Sequence, residues 1–206
     1  MKKRFESFYK NLNAALNAGA VFSEIEKLYN IPKRFYHNIK HIGYCIEEFD
    51  QIKDRIRDKY EFEFALWLHD CVYDTRSSDN EEKSGEVATK IIKDSGLGEI
   101  FTQRVYDFIL ATKHNKATND SDTKYLIDID LAILGSSSDR YDLYRTNIRK
   151  EYAWVKKSAY AMGRKNILEN FLRKKRIYLT DYFYEKYEIA ARSNITDEIR
   201  AMYNLK

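Results

Sequence analysis

A chain of 206 residues, 44% hydrophobic and 33% charged, is long enough to bury one sizeable core and too apolar to remain disordered. One Pro and seven Gly among abundant Leu, Ile, Glu, Lys and Ala argue against a strand-and-turn architecture; the expected fold is all-α, one domain over residues 1–206. A formal charge of +4 fits solubility or an anionic small-molecule ligand and is too sparse for a dedicated nucleic-acid binder.

In chain order, Phe5, Phe8, Tyr9, Leu12, Ala15 and Leu16 fall at helical spacing and predict a helix over 3–18, ending near Gly19. Ser23-Glu24-Ile25-Glu26 reads as a capping box opening a second helix through Tyr29. Pro32 suits the start of a third helix, continued from Tyr36 to Phe49 with Ile42, Cys45, Ile46 and Phe49 inward. His37 and His41, four apart, then share one face of it, with His41 at the edge of the apolar stripe. Residues 50–60 are charged and expected to be exposed. Phe62 to Leu68 is apolar nearly all round, as in a helix through the centre of a domain, and runs directly into His69-Asp70. Ionisable groups at the end of a buried helix are costly unless paired or metal-bound.

Ser78-Asp79-Asn80-Glu81 reads as a second capping box, opening a helix with Val87, Ala88, Ile91 and Ile92 inward that Gly96 and Gly98 break. Phe101 to Thr112 forms the next helix and delivers Lys113-His114 at its end. After the polar loop 115–122, Tyr125 to Leu134 carries two aspartates. Asp130 has Leu126, Ile127, Ile133 and Leu134 at its helical neighbours, whereas Asp128 has Lys124, Tyr125, Leu131 and Ala132, so Asp130 is expected to point into the core. The remaining helices are expected at about 139–161, 164–177, 181–192 and 196–204, jointed at Gly135 to Ser138, Gly163 and Thr196. The run Arg173 to Arg176 reads as a solvated helix face. Cys45 and Cys71 make neither a disulfide framework nor a CxxC clip and are read as small buried side chains. The opening MKKRFESFYK has no apolar signal core, and no segment approaches the ~18 apolar residues of a membrane span, so a cytoplasmic setting is expected.

His41, His69, Asp70 and Asp130 supply two imidazoles and two carboxylates, a mixed nitrogen and oxygen set that suits Mn²⁺, Fe²⁺, Co²⁺, Ni²⁺ or Zn²⁺, and Mg²⁺ less readily. Four such ligands leave room on a six-coordinate ion for water and a substrate oxygen, and the ion would turn bound water into a hydroxide nucleophile and polarise a phosphoryl group.

The order His…His-Asp…Asp resembles the HD superfamily of metal-dependent phosphohydrolases. Flanking segments are similar to a bacterial subfamily of it: Arg34 to His41 (RFYHNIKH), Trp67 to Asp74 (WLHDCVYD), Asn80-Glu81-Glu82, Asp128 to Gly135 (DIDLAILG) and Ile148 to Tyr152 (IRKEY). The resemblance implies an HD core over about 30–135 with helices 139–206 packed on it. It also implies a divalent-metal phosphohydrolase acting on a phosphate ester or anhydride of a nucleotide-like small molecule. Cyclic-nucleotide phosphodiesterases share Tyr-His-Asn-x-x-His, which makes His41 the metal ligand and His37 a general acid, with a supporting or capping histidine as the alternative for His37. Their site-lining histidine is matched by His114. Guanosine tetraphosphate hydrolases continue the HD helix into a Glu-Asp pair; here Tyr73 replaces the Glu and Asp74 is kept, placed to orient the attacking water. Glu81 and Glu82 either replace that Glu or merely complement a helix N-terminus. Phosphate recognition would draw on Arg34, Lys113, Arg145 and Arg149.

The partners expected are therefore a small phosphorylated substrate and, as an option, a second copy of the chain; membrane and nucleic acid are not expected. A nucleotide pyrophosphohydrolase, a metal-containing nucleotide sensor without turnover, and a helical RNA-associated module using Arg173 to Arg176 stand as the rival readings.

Overall fold

The helix starts and stops follow local chemistry that hydrophobic spacing alone does not carry. A computed structural model describes residues 1–203. Among them are ten α-helices and no strand, so the fold is all-α. Two compact units are present, Met1–Ile127 and the segment from Asp128 onward.

In the first unit, α1 (Lys2–Lys10) is shorter than the helix expected over 3–18, and α2 (Ala18–Tyr29) begins ahead of the start expected at Ser23 and ends at Tyr29 as expected. Helix α1 ends at Lys10 with Asn11 as its C-cap, and Asn13, at a left-handed φ of 50° that asparagine tolerates, turns the chain beyond it. Asn17 then caps α2, its Oδ1 accepting from the Ala20 N–H at 3.1 Å. Ser23 is inside α2 and donates to the Gly19 carbonyl at 2.9 Å, so the expected capping box does not form. Helix α3 (Ile39–Ile52) begins only after Asn38, whose side chain accepts from Lys40 N–H at 2.9 Å. The stretch 50–60 is not uniformly exposed, because Ile52 and Ile56 are buried.

Helix α4 (Lys59–Leu68) is the centre of this unit: Phe62, Phe64, Ala65, Leu66, Trp67 and Leu68 are all 0% exposed. Phe62 lies between Phe49 and Phe108 (ring centroids 5.2 and 5.4 Å), and Trp67 meets Phe5 edge-on at 5.2 Å. Truncating such a ring costs about 3–5 kcal/mol. The one charge in the run, Glu63, is pushed up by burial and pulled back by Arg4, which reaches it at 2.6 and 3.0 Å. Helices α5 (Asn80–Asp94) and α6 (Glu99–Ala111) pack so closely that a Cβ on Gly85 would sit 2.6 Å from the Tyr106 ring. The N-cap of α5 is Asp79, which pairs with Lys83 at 2.8 Å and makes no side-chain cap bond, so the box expected between Ser78 and Glu81 does not form. Gly96, at φ 72°, ends that helix as expected.

Helix α7 (Ser121–Leu131) runs through the division between the units and passes into a 3₁₀ turn, Ala132–Gly135. Its entry is fixed by Asp120, which accepts from the Thr123 N–H at 2.8 Å and its hydroxyl at 2.7 Å and pairs with Arg104 and Arg57 at 2.9 and 3.1 Å. Against burial, which raises it, these donors hold the Asp120 carboxyl down at about 2.

The second unit contains α8 (Ser138–Glu151), α9 (Lys157–Arg173) and α10 (Asp181–Tyr203). Three helices stand where four were expected. The break falls at 152–156, where Arg149 donates to the carbonyls of Tyr152 and Val155 at 2.6 and 3.1 Å, while Gly163 lies inside α9. Thr196 is no joint: its hydroxyl returns to the Arg192 carbonyl at 2.7 Å within an unbroken α10, and position 204 of the expected last helix lies outside the described residues. A buried Arg164–Glu198 pair at 3.0 Å, with Tyr141 donating to Glu198 at 2.5 Å, ties the three helices together. No described helix is long and apolar enough to cross a membrane.

Candidate metal centre

The end of α4 meets the start of α3 at a cluster of nitrogen and oxygen ligands. His69 is the C-cap of α4, and His41 is in the first turn of α3, so each imidazole projects from a helix end rather than from mid-helix. Both are buried, at 1% and 4% exposure. The His41 and His69 Nε2 atoms are 3.2 Å apart, and Asp70 Oδ2 is 3.5 Å from the first and 3.4 Å from the second. Ligand atoms each ~2.0–2.2 Å from one ion stand ~3.0 Å apart at right angles and ~3.5 Å apart at the tetrahedral angle. The observed triangle falls in that window, and the three residues could hold a metal ion.

The surrounding chain fixes these groups. His69 Nδ1 is 3.0 Å from the Leu66 carbonyl oxygen, which only accepts, so the ring proton is on Nδ1 and the Nε2 lone pair faces the cluster. Arg34 is buried and donates to the carbonyls of Leu28 at 2.8 Å, Cys71 at 3.5 Å and Asp70. Ser84 exchanges hydrogen bonds with the Val72 N–H and carbonyl at 3.0 and 3.2 Å, completing the brace on the loop that carries Asp70. Arg34 is thus bonded to main chain around the cluster, where a phosphate contact was expected of it.

His37 precedes the cap of α3, so it and His41 are not on one helical face. The turn before the cap nonetheless keeps the two rings 6.2 Å apart, with His37 stacked on Tyr73 at 3.8 Å. Asp74 is not one helical turn beyond Asp70, because the helix ends at Leu68. Its carboxylate is exposed and accepts from the Arg76 N–H at 2.9 Å, a local turn. The helix-based reason for placing Asp74 beside the water goes with it.

The aspartates of α7 are buried in the opposite order to that expected. Asp128 is 0% exposed and Asp130 is half-buried. Asp128 accepts from the N–H groups of Leu179 and Thr180 and from the Thr180 hydroxyl, each at 2.7 Å, and so staples the chain entering α10. Burial pushes the Asp128 carboxyl up to about 6, against the pull of those donors. Its environment comes from residues some fifty positions away, which its helical neighbours do not reveal.

His114 follows α6 with a φ of 54° and is half-buried. Beside it, Lys113 bridges to Glu82 at 2.5 Å and to the Ser78 carbonyl at 2.8 Å, raising the lysine and lowering the glutamate. Arg145, paired with Asp142 at 2.6 Å, and Arg149, over the Tyr160 ring at 4.6 Å, line a cavity of about 360 Å³ within the second unit.

Cys45 and Cys71 are buried, as expected of small apolar side chains, and Cys45 also lies beside the histidines. Its Sγ lies 3.7 Å from His41 Nε2 and 3.8 Å from Nδ1, so it rests against the ring. Cys45 is four residues after His41, one helical turn along α3. No family model, curated protein or solved structure matches this chain.

Proposed function

We propose that this chain is a divalent-metal phosphohydrolase of the HD type, with His41, His69 and Asp70 as ligands on their geometry and Asp130 as the carboxylate that the resemblance to that superfamily implies. The observation that carries the reading is the His41–His69–Asp70 triangle, with edges of 3.2, 3.4 and 3.5 Å and the His69 lone pair turned into it. Asp130 is chosen over Asp128 because the Asp128 carboxylate is occupied by the chain entering α10. A divalent ion held by these residues would supply Lewis-acid chemistry, lowering the pKa of water and polarising a phosphoryl group.

The chain's own residues then have separable tasks. Asp70 sets a negative charge beside two imidazole nitrogens, which favours a divalent cation over a monovalent one. Leu66 holds the His69 tautomer through its carbonyl, and Arg34 fixes the backbone that carries Asp70. His37, one ring away from His41 and held against Tyr73, is proposed to protonate the leaving oxygen. The substrate proposed is a phosphate ester or anhydride of a nucleotide-like small molecule.

Metal analysis of the purified chain, followed by a panel of nucleotides and phosphoesters with Mn²⁺, Co²⁺ or Ni²⁺ added, tests this. Metal-dependent turnover that His69→Ala and Asp70→Ala abolish is expected. Bound metal without turnover of any panel member overturns the enzyme reading and leaves a metal-containing sensor.

A further inference from the structure

Arg145 and Arg149 stand one turn apart on α8, in a setting of their own within the second unit. With Lys150 and Lys157 they line the cavity of about 360 Å³, and Tyr160 and Met202 form part of its apolar wall. We propose that this cavity binds a small phosphate monoester with an apolar, ring-bearing body, of the size and chemistry of a nucleoside monophosphate.

The positive charge there has no local explanation. Arg145 and Arg149 are a like-charge pair at i, i+4, which a helix disfavours. Lys157 opens α9, whose first turn has no acidic residue and no side-chain cap, and a cation there opposes the helix dipole. Neither arrangement stabilises its own helix, so the four cations on one cavity point to an anion rather than to the fold. Nearby carboxylates do not cancel them. Glu198, which also lines the cavity, is answered by Arg164 at 3.0 Å. Asp142 meets Arg145 from an exposed position. Arg149 gives its donors to the carbonyls of Tyr152 and Val155, neutral acceptors that leave its charge in place. Charge of this density suits a doubly ionised phosphate better than a single carboxylate.

The rest of the cavity suits the body of such a ligand. Its volume is at the lower end of the ~300–1,000 Å³ of small-molecule sites, enough for one nucleoside monophosphate and far more than a bare phosphate fills. Ala161 and Ala201 leave space beside Tyr160 and Met202 for a ring to lie against. Burial pushes the Tyr160 hydroxyl up to about 12, so at pH 7 it is a neutral phenol able to donate to an anion. Every lining residue is in the second unit and none is a metal ligand proposed above, so binding here does not depend on the metal centre.

Isothermal titration of the full chain with AMP, in buffer containing EDTA, tests this. Expected is one equivalent of AMP, with adenosine and inorganic phosphate each weaker by about tenfold or more. Arg145→Gln and Lys157→Gln should each weaken AMP by about tenfold, the loss of one charge-assisted contact. Ala161→Phe, which keeps every charge and fills the cavity, should abolish binding, whereas His69→Ala and Asp70→Asn should retain it. Lys157 is exposed, so its substitution keeps the test decisive should Ala161→Phe fail to fold. No AMP binding, binding that inorganic phosphate matches, or binding indifferent to Lys157→Gln overturns the cavity site. AMP binding that His69→Ala abolishes also overturns it and moves the nucleotide to the metal centre, so the two readings fail separately.

Discussion

His69 Nδ1 and the carbonyl oxygen of Leu66 stand 3.0 Å apart across the last turn of α4. An orphan carbonyl at a helix end needs a donor, and the imidazole needs its tautomer set; one bond does both. Removing the imidazole should therefore disrupt the proposed metal centre. If the proposed centre binds Mn²⁺, saturating Mn²⁺ should raise the melting temperature of the wild-type chain by mass action on the folded state, and His69→Ala should abolish that rise. A metal-dependent shift retained in His69→Ala would remove His69 from the ligand set.

The two aspartates of α7 should part company on substitution. Asp128→Ala leaves two backbone N–H groups and a hydroxyl without their acceptor, and each such loss costs about 1–3 kcal/mol where water cannot replace it. It should lower the urea midpoint and keep Mn²⁺ affinity. Asp130→Ala should lose Mn²⁺ affinity by more than about tenfold with a small change in midpoint. The opposite pairing would move the fourth ligand to Asp128.

What was legible in the sequence follows from how local each signal is. The all-α class, the buried run Phe62 to Leu68 and the glycine stop at Gly96 are written in nearby residues, and the structure has each of them. His69 and Asp70 stand out because burying ionisable groups beside Trp67 and Leu68 is costly, and His41 because it borders the apolar stripe four residues after His37; the structure brings these three together. Long-range partners were not legible. Asp128 is buried by Leu179 and Thr180, and Arg34 is spent on carbonyls at Asp70 and Cys71, contacts that no local pattern carries. Helix joints failed where asparagine or arginine, rather than glycine or serine, ends the helix: Asn11 is the C-cap of α1, and Arg149 closes α8 from within.

Arg34 should behave as a positioning residue. Its planar fork spans the carbonyls of Leu28, Asp70 and Cys71, a geometry that a lysine ammonium does not reproduce. Arg34→Lys should lower stability by about 1–3 kcal/mol in urea unfolding. It should also weaken Mn²⁺ binding, because Asp70 loses its backbone anchor. An unchanged Mn²⁺ affinity together with a raised KM for a phosphorylated substrate would return Arg34 to phosphate recognition.

Acid should find Asp120 early. Burial raises its carboxyl, but the Thr123 hydroxyl and N–H and the Arg104 guanidinium outweigh it and hold it at about 2. An unfolded aspartate titrates near ~3.9. As pH falls, the unfolded chain therefore takes up its proton first, and stability is drawn off. The contribution is complete above about pH 5 and drains away between about pH 4 and 2. At pH 7, Asp120→Ala should cost about 1–2 kcal/mol through loss of the α7 cap. Urea unfolding of both chains from pH 7 down to pH 2.5 reads the gap between them, which should narrow through the acid range; Asp120→Asn, which keeps a capping oxygen without the charge, should fall between the two at pH 7. A gap that stays constant with pH would mean that Asp120 acts through its cap alone and not through its charge.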